Sequence, residues 1–182
     1  MPPRQPLPRL WMMTDERQGE GLLPALARLP RGSGIVFRHY GLPPLARRAL
    51  FEEVRRIALK RRLLLLLAGS PRLATAWKAD GAHGHSRYRL ASRPLVRTRP
   101  VHTVCDIRSA CPADLLFVSP VFATRSHPGD AALGRLRFGL MIHAASAPII
   151  ALGGMTRRRA RSLSALGIYG WAAIDALSVA GC

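Results

Sequence analysis

Short apolar runs alternate with longer amphipathic segments along most of this chain. Six clear runs cover residues 10–13, 35–37, 63–67, 115–118, 149–152 and 171–174, and two weaker ones lie at 80–83 and near Val101. Continuous apolar runs of about four to six residues are typical of strands that are covered on both faces, as in a parallel sheet. The pattern therefore predicts parallel strands that are buried between helices.

Helical patterns occupy the intervals between these runs. Residues 22–29 form a short segment, and a longer one begins at Pro43 and Pro44 and ends near Arg62. Residues 133–145 and 156–166 follow the same spacing, with Thr156 suited to an N-cap and Gly167 to the position after the last turn. Strands and helices that alternate in this way predict an α/β protein with a (β/α)8 TIM barrel, and a doubly wound open sheet is the second interpretation.

The length of the chain bounds the size of this barrel. Its 182 residues predict a single barrel domain over residues 1–182, which is small for a (β/α)8 fold. Arginine and proline interrupt the segment 86–100, so we expect one outer helix to be reduced or missing.

Composition excludes several classes of protein. Hydrophobic residues make up 48% of the chain, which excludes a charged, disordered polypeptide. The longest aliphatic run, residues 63–68, is far shorter than the roughly 20 residues of a membrane span. The first residues lack the apolar core of a secretory signal, so we expect a cytoplasmic protein. Three cysteines without CxxC spacing (Cys105, Cys111 and Cys182) indicate neither a disulfide framework nor a zinc site.

The net charge points to anionic ligands. Lys and Arg number 28 against 10 Asp and Glu, which gives a formal charge of +18, and such a field attracts phosphate groups. The arginines are spread along the chain, aromatic residues make up only 6%, and no nucleic-acid-binding motif is present. We therefore expect phosphorylated small molecules rather than nucleic acid as partners. The sequence leaves open whether the chain forms a homo-oligomer.

Candidate site residues lie where the predicted strands end, because a (β/α)8 barrel places its active site there. Gly153 and Gly154 follow the strand at 149–152 and precede Thr156, a pattern that favours a phosphate site but also suits a tight turn. The loop after residues 115–118 offers two hydroxyls, an arginine and a histidine in succession, namely Thr124, Arg125, Ser126 and His127.

An arginine and several histidines complete this set of candidates. Arg38 ends a predicted strand and suits phosphate oxygens, with a structural ion pair to Asp15 or Asp80 as the alternative. Four of the six histidines fall at or just beyond strand ends: His39, His83, His102 and His127.

Six segments, in this order along the chain, resemble the thiamine phosphate synthase/TenI family. They are LWMMTD at 10–15, GIVFR at 34–38, ADGAH at 79–83, VH at 101–102, SPVFAT at 119–124 and ALGGM at 151–155. The resemblance implies a (β/α)8 barrel. Thiamine phosphate synthase joins a hydroxymethylpyrimidine diphosphate to a thiazole phosphate and releases pyrophosphate with Mg²⁺, whereas TenI-type relatives tautomerise a thiazole carboxylate phosphate.

The resemblance also implies roles for individual residues. Arg38 matches the family arginine that binds pyrophosphate, and Arg125 is a second retained cation. His102 lies at the position of a TenI-type proton-transfer histidine, with His83 as the second candidate. Thr124 and Ser126 match the family's phosphate-binding hydroxyls in the loop after the sixth strand, and Gly153 and Gly154 match the glycines whose backbone binds the thiazole phosphate. His127 stands where the family has a lysine in the same loop.

The chain departs from the synthase pattern at the metal site. The family's Asn–Asp pair aligns with Ala68 and Gly69, and residues 86–88 contain no carboxylate where a second magnesium ligand is expected. The family's remaining polar positions are occupied by Val36, Tyr40, Pro100 and Asp175. A negative charge at Asp175 would repel phosphate.

These departures leave several functions open. The first expectation is a synthase-type transferase, which implies Mg²⁺ although the expected carboxylate ligands are absent. The alternatives are a TenI-like tautomerase that uses a histidine as acid and base, and a catalytically impaired barrel that binds a phosphorylated ligand.

Overall fold

A computed structural model of the chain describes residues 6–85, 95–108, 113–125 and 131–178. Its strands are β1 Leu10–Met13, β2 Gly34–Phe37, β3 Leu64–Ala68, β4 Gly81–His83, β5 Val96–Val101, β6 Leu115–Val118, β7 Ile149–Ala151 and β8 Gly170–Ala173. They close in sequence order into an eight-stranded barrel, with β1 paired to β8 and each pair parallel. The predicted (β/α)8 barrel is therefore confirmed, and the open sheet is excluded.

The outer layer is made of helices of very different lengths. They are α1 Leu22–Arg28, α2 Pro44–Arg61, α3 Pro71–Ala76, α4 Val104–Arg108, α5 Gly134–Ile142 and α6 Arg157–Ser162, with 3-10 turns at Glu16–Gly21, Ser164–Leu166 and Asp175–Leu177. The reduced helix was expected within residues 86–100; of these, residues 86–94 lie outside the described residues, and residues 96–100 belong to strand β5. Within the described part, α3 and α4 are short helices, and only a 3-10 turn follows β8. No described helix combines the length and the apolar character that a bilayer span requires.

Local sequence explains where several helices begin and end. Proline stands at the first positions of α2 and α3, where its missing N–H costs nothing. The Thr156 side chain accepts the Arg159 N–H at 3.2 Å, which confirms Thr156 as an N-cap. Gly167 adopts φ +77° and ends the 3-10 turn that follows α6, so this glycine does mark the end of the helical segment.

Alternate residues of each strand fill the inside of the barrel, as the two-residue period of a strand requires. The inner cluster consists of Trp11, Met13, Val36, Leu66, Ala68, Leu115, Phe117, Ile150 and Ala172. The large Trp11 ring fits because a glycine faces it: a Cβ on Gly34 would lie 2.1 Å from the ring. The intervening strand residues pack under α1 and α2 on one side and under α5 and α6 on the other.

Candidate functional site

The carboxyl ends of the strands surround one cavity of about 290 Å³. Apolar side chains such as Met13, Leu152 and Ile174 form part of its wall. Its polar lining is contributed by Arg38, Tyr40, His83, His85, His102, Ser119 and Thr124. The barrel thus brings together residues that are far apart in sequence, and Arg38, His102, Thr124 and Gly153 of the predicted set share this cavity.

Arg38 is held by the loop that follows β1. Its Nη2 lies 2.7 Å from Asp15 Oδ2, and its Nε donates to the Thr14 carbonyl at 2.8 Å. Asp80 is not its partner, because that carboxylate accepts the Leu65 N–H at 2.8 Å. Of the two ion pairs considered for Arg38, the one with Asp15 is therefore the one that forms, while Arg38 still faces the cavity.

Asp15 stands at the centre of a small charge network. Its second oxygen accepts from Arg17 Nε at 2.7 Å, and Arg17 Nη2 lies 4.0 Å from Asp175 Oδ1. Burial raises the pKa of Asp15, but hydrogen bonds from Arg17 and the positive charges of Arg38 and Arg17 together lower that pKa below its usual value. Asp15 is therefore ionised at neutral pH and offsets part of the positive charge at the barrel mouth, the end of the barrel where the carboxyl ends of the strands surround the cavity.

The two glycines after β7 are required by close backbone packing. Gly153 has φ +93°, and a Cβ there would lie 2.7 Å from Pro120 Cα. Gly154 has φ +57°, and a Cβ there would lie 2.4 Å from the carbonyl oxygen of Ala123. Two backbone hydrogen bonds of 2.9 and 3.1 Å, from Val121 N to Leu152 O and from Phe122 N to Gly153 O, join the loops after β6 and β7. The tight-turn interpretation of this glycine pair is thus correct, whether or not the pair also binds phosphate.

A smaller recess of about 50 Å³ lies beside the cavity, and Thr124, Gly153, Gly154 and Asp175 are among the residues that line it. The predicted phosphate cradle therefore includes a carboxylate in its wall, and this carboxylate is half-exposed. Arg159, which the sequence did not single out, donates to the Gly154 carbonyl and stacks on the Phe122 ring at 4.7 Å.

The loop after β6 contributes unequally to the site. Thr124 lines both the cavity and the recess. Arg125 is exposed and lines neither. The predicted positions Ser126 and His127 lie outside the described residues.

His102 follows β5 and has a defined ring orientation. Its Nδ1 lies 3.0 Å from the Ser119 carbonyl oxygen, and its backbone N–H donates to Asp106 Oδ2 at 2.9 Å. The Ser119 Oγ lies farther from Nδ1, at 3.4 Å. Because a carbonyl oxygen can only accept, the shorter contact favours the tautomer with the proton on Nδ1 and the lone pair on Nε2. The ring is exposed and lines the cavity. This arrangement suits a group that accepts and returns a proton.

Two other histidines are buried and serve different purposes. His39 adopts φ +42°, stacks on Phe37 with ring centroids 5.0 Å apart, and its Nδ1 lies 2.9 Å from Thr14 Oγ1. Burial lowers its pKa. His83 Nδ1 lies 2.8 Å from Thr98 Oγ1, and burial, with the charges of Arg38 and His85, lowers the pKa of His83 to about 3. Of these two, only His83 lines the cavity.

Arg47 is a further residue that the sequence did not reveal. It lies in the first turn of α2, and its guanidinium donates to the Arg38 carbonyl at 2.9 and 2.7 Å and to the Ala68 carbonyl at 2.9 Å. The aromatic rings of Phe37, Tyr40 and Trp77 surround it at 5.3–5.8 Å. Arg47 thereby holds the ends of β2 and β3 together. No sequence pattern marks such a contact, since its partners are backbone carbonyls.

The described residues do not fit a magnesium site of the synthase kind. Ala68 and Gly69, at the end of β3, provide no carboxylate, and Asp15 is occupied by two arginines. Asp106 accepts the backbone N–H groups of His102 and Thr103. Across the described part of the chain, no three His, Cys, Asp or Glu residues are grouped so that they could hold a metal ion.

Comparison with known proteins identifies the family to which the chain is similar. The family model described as thiamine monophosphate synthase matches residues 14–177. A protein of Aquifex aeolicus (strain VF5), named "Putative thiamine-phosphate synthase 2", is 30% identical over 181 residues, which cover 93% of this chain and 97% of that protein.

Solved structures share the same barrel. Thiamine phosphate pyrophosphorylase from Pyrococcus furiosus has a TM-score of 0.74 at 21% identity over 92% of this chain and 85% of that one. The Bacteroides thetaiotaomicron enzyme of the same name has a TM-score of 0.63 at 15% identity over 92% and 83%. FabK from Thermotoga maritima, with a TM-score of 0.70 at 15% identity over 93% of this chain and 58% of that one, shares the fold alone. Because the family model matches residues 14–177 and the Aquifex relative is 30% identical over nearly the whole chain, this chain belongs to the thiamine monophosphate synthase family.

Proposed function

We propose that this protein is an enzyme of thiamine synthesis that binds a phosphorylated thiazole in the barrel mouth and transfers a proton on it through His102. The observation that carries the proposal is the geometry of His102. Its Nδ1 is fixed by the Ser119 carbonyl at 3.0 Å, while the ring lines the 290 Å³ cavity. A histidine with one nitrogen anchored and the other directed to substrate is the usual arrangement of a general acid and base.

The proposed reaction is a tautomerisation of the ring. Nε2 of His102 removes a proton from one position of the bound thiazole, and the resulting imidazolium returns it to another. The reaction is balanced, because the same nitrogen accepts and donates the proton and no group leaves. The Ser119 carbonyl keeps its hydrogen bond to Nδ1–H throughout and stabilises the cationic ring between the two steps. A proton transfer of this kind needs no metal ligand from the chain.

The phosphate is proposed to lie in the recess beside the cavity. The Thr124 hydroxyl and the backbone at Gly153 and Gly154 line this recess, and glycine lets a ligand approach the main chain closely. Asp175 opposes an anion there, and Arg17, 4.0 Å from that carboxylate, reduces the repulsion. We therefore expect modest affinity for the phosphate group alone.

A second candidate is the coupling reaction of the synthases, with loss of pyrophosphate. Arg38 favours it, since this guanidinium lines the cavity and its Nη1 makes no hydrogen bond within the described part of the chain. The reaction needs the charge of the departing pyrophosphate to be neutralised. The absence of carboxylates at Ala68 and Gly69 weighs against this candidate.

Parallel assays of both reactions decide between the candidates. The protein is incubated with thiazole carboxylate phosphate, with formation of the second tautomer followed by NMR. It is separately incubated with the pyrimidine diphosphate, thiazole phosphate and Mg²⁺, and thiamine phosphate is measured. We expect tautomerisation that falls about 100-fold or more in His102→Ala, the usual effect of losing an acid–base residue.

His143→Ala is the matched control, because His143 is the C-cap after α5 and lines neither the cavity nor the recess, so its loss should leave the rate unchanged. Thiamine phosphate formed at equal rates by wild type and His102→Ala would replace the proposal with the synthase. Tight binding without either product would show a barrel that binds its ligand without turnover.

A further inference from the structure

His83 lies on the cavity wall but has no part in the proposed proton transfer. It ends β4 and is only 6% exposed. The Thr98 hydroxyl holds its Nδ1 at 2.8 Å, and the Phe117 ring makes a T-shaped contact with it, with centroids 5.0 Å apart and an interplanar angle of 75°. Contacts on two sides therefore fix the orientation of this imidazole relative to the cavity.

One nitrogen of the His83 ring is left for a ligand. In the part of the chain that the structure describes, the bond to Thr98 is the only hydrogen bond of this ring. A hydroxyl can donate or accept, so Nε2 can present either an N–H or a lone pair to the cavity. Nε2 is not one of the fully buried side-chain atoms that lack a hydrogen-bond partner, so it is open to the cavity, where a ligand can complete its hydrogen bonding.

The ring is also uncharged under physiological conditions. Burial, followed by the charges of Arg38 and His85, lowers the pKa of His83 to about 3. It therefore supplies a hydrogen bond without a positive charge, which suits an uncharged polar group better than a second phosphate.

The position of His83 in the barrel indicates which end of a bound ligand it would contact. β4 lies four strands from β8 in the closed barrel, so His83 and the recess beside β7 and β8 are on opposite sides of the mouth. Met13, Leu152 and Ile174 line the cavity and offer apolar contact, and the last two also line the recess. A ligand that reaches both sides needs a phosphate at one end and, at the other, a flat ring with an uncharged polar atom.

We propose that His83 is a specificity-determining residue that hydrogen-bonds, through Nε2, an uncharged atom of the heteroaromatic ring of a monophosphorylated ligand. This inference rests on the proposed function, which places the ligand's phosphate in the recess. It adds a hydrogen bond that distinguishes ligands by their heteroaromatic ring. His83 thereby separates recognition from the proton transfer assigned to His102.

Two substitutions isolate the cavity-facing nitrogen. In His83→Asn the amide occupies the place of Nδ1 and keeps the bond to Thr98, but nothing reaches the position of Nε2. In His83→Gln the longer side chain places its amide near Nε2. Calorimetry with thiazole phosphate and with inorganic phosphate is carried out on both variants, on wild type and on the control His143→Gln.

We expect His83→Asn to weaken thiazole phosphate binding about 3- to 10-fold, the usual effect of losing one hydrogen bond. His83→Gln should stay within about 3-fold of wild type, and inorganic phosphate should bind all four proteins equally. Circular dichroism and melting curves establish that the variants fold. If they do not fold, the ¹⁵N resonance of His83 Nε2 in wild type gives the same answer: it should shift with thiazole phosphate and not with inorganic phosphate.

The outcomes separate this inference from the proposed function. Unchanged thiazole phosphate affinity in His83→Asn, or an equal loss for inorganic phosphate, overturns the role of His83 even when wild type catalyses tautomerisation. Binding that depends on His83 without any tautomerisation supports the inference and overturns the proposed reaction. No binding of either thiazole phosphate or thiazole carboxylate phosphate by wild type overturns both.

Discussion

Substitution of Gly153 by alanine tests how the mouth of this barrel is built. The substitution acts in two ways, because Gly153 has φ +93° and a Cβ there would lie 2.7 Å from Pro120 Cα and 2.9 Å from Pro120 Cβ. A side chain in the left-handed region costs about 1–2 kcal/mol. Forcing an extra carbon into a packed contact costs about 1–3 kcal/mol more.

Gly167→Ala separates the two costs. Gly167 has φ +77°, but no atom lies within 4 Å of its ideal Cβ, so this variant carries the backbone cost without the clash. We expect Gly167→Ala to lose about 1–2 kcal/mol of unfolding free energy and Gly153→Ala about 2–5 kcal/mol. The difference measures the contact between the loops after β6 and β7.

Urea unfolding of wild type and both variants gives these free energies, provided that the m-values agree. Gly153→Ala should also lower activity, because the backbone bond from Phe122 N to Gly153 O holds the loop that carries Thr124. Equal destabilisation by the two substitutions would show that the loops do not need this close approach. The account of the glycine pair would then be wrong.

Three further predictions concern residues around the site. The pKa of Asp15 is lowered in the folded protein, so its ion pair with Arg38 stabilises the fold above the unfolded pKa, near 3.8, and this stabilisation is lost as the pH falls through the lower folded pKa. The stability advantage of wild type over Asp15→Asn, measured by urea unfolding, should therefore shrink between about pH 6 and about pH 3. A difference that stays constant over this range would contradict the pairing. Phe117→Ala removes a fully buried ring that packs on Trp11 at 5.4 Å and should cost about 3–5 kcal/mol in the same assay. Thr156→Ala removes the N-cap of α6 and should cost about 0.5–2 kcal/mol, while Thr156→Ser should be nearly neutral.

The barrel was predictable because burial on both faces leaves a local record in the sequence. The apolar runs at 10–13 and 115–118 coincide with β1 and β6. β5 was located only near Val101, since its sequence VRTRPV carries arginines and a threonine where the other strands are aliphatic. Its neighbour β4 is short and contains a glycine, so both strands gave weak signals.

The site was predictable only in part, because its contacts join distant segments. Position at a strand end was sufficient to identify Arg38 and His102, but the choice of Asp15 over Asp80 as the partner of Arg38 required the folded barrel. The same holds for Arg47, whose acceptors are backbone carbonyls of two strands. The depth at which His83 is buried could not be obtained from its position in the motif.

Little of the net positive charge of the chain lies at the cavity. Of the 28 basic residues, Arg38 is the only one among the described residues that lines the main cavity. Its charge is shared with Asp15, and Asp15 also binds Arg17. The mouth is therefore much less positive than the composition suggests, which favours a ligand with one phosphate.

The most direct test of the account is the exchange of substrate protons with D₂O, followed by NMR on thiazole carboxylate phosphate in the presence of a metal chelator. We expect exchange that continues without metal, falls about 100-fold or more in His102→Gln, and is unchanged in His143→Gln. Exchange that proceeds equally in His102→Gln, or that requires added Mg²⁺, would contradict it.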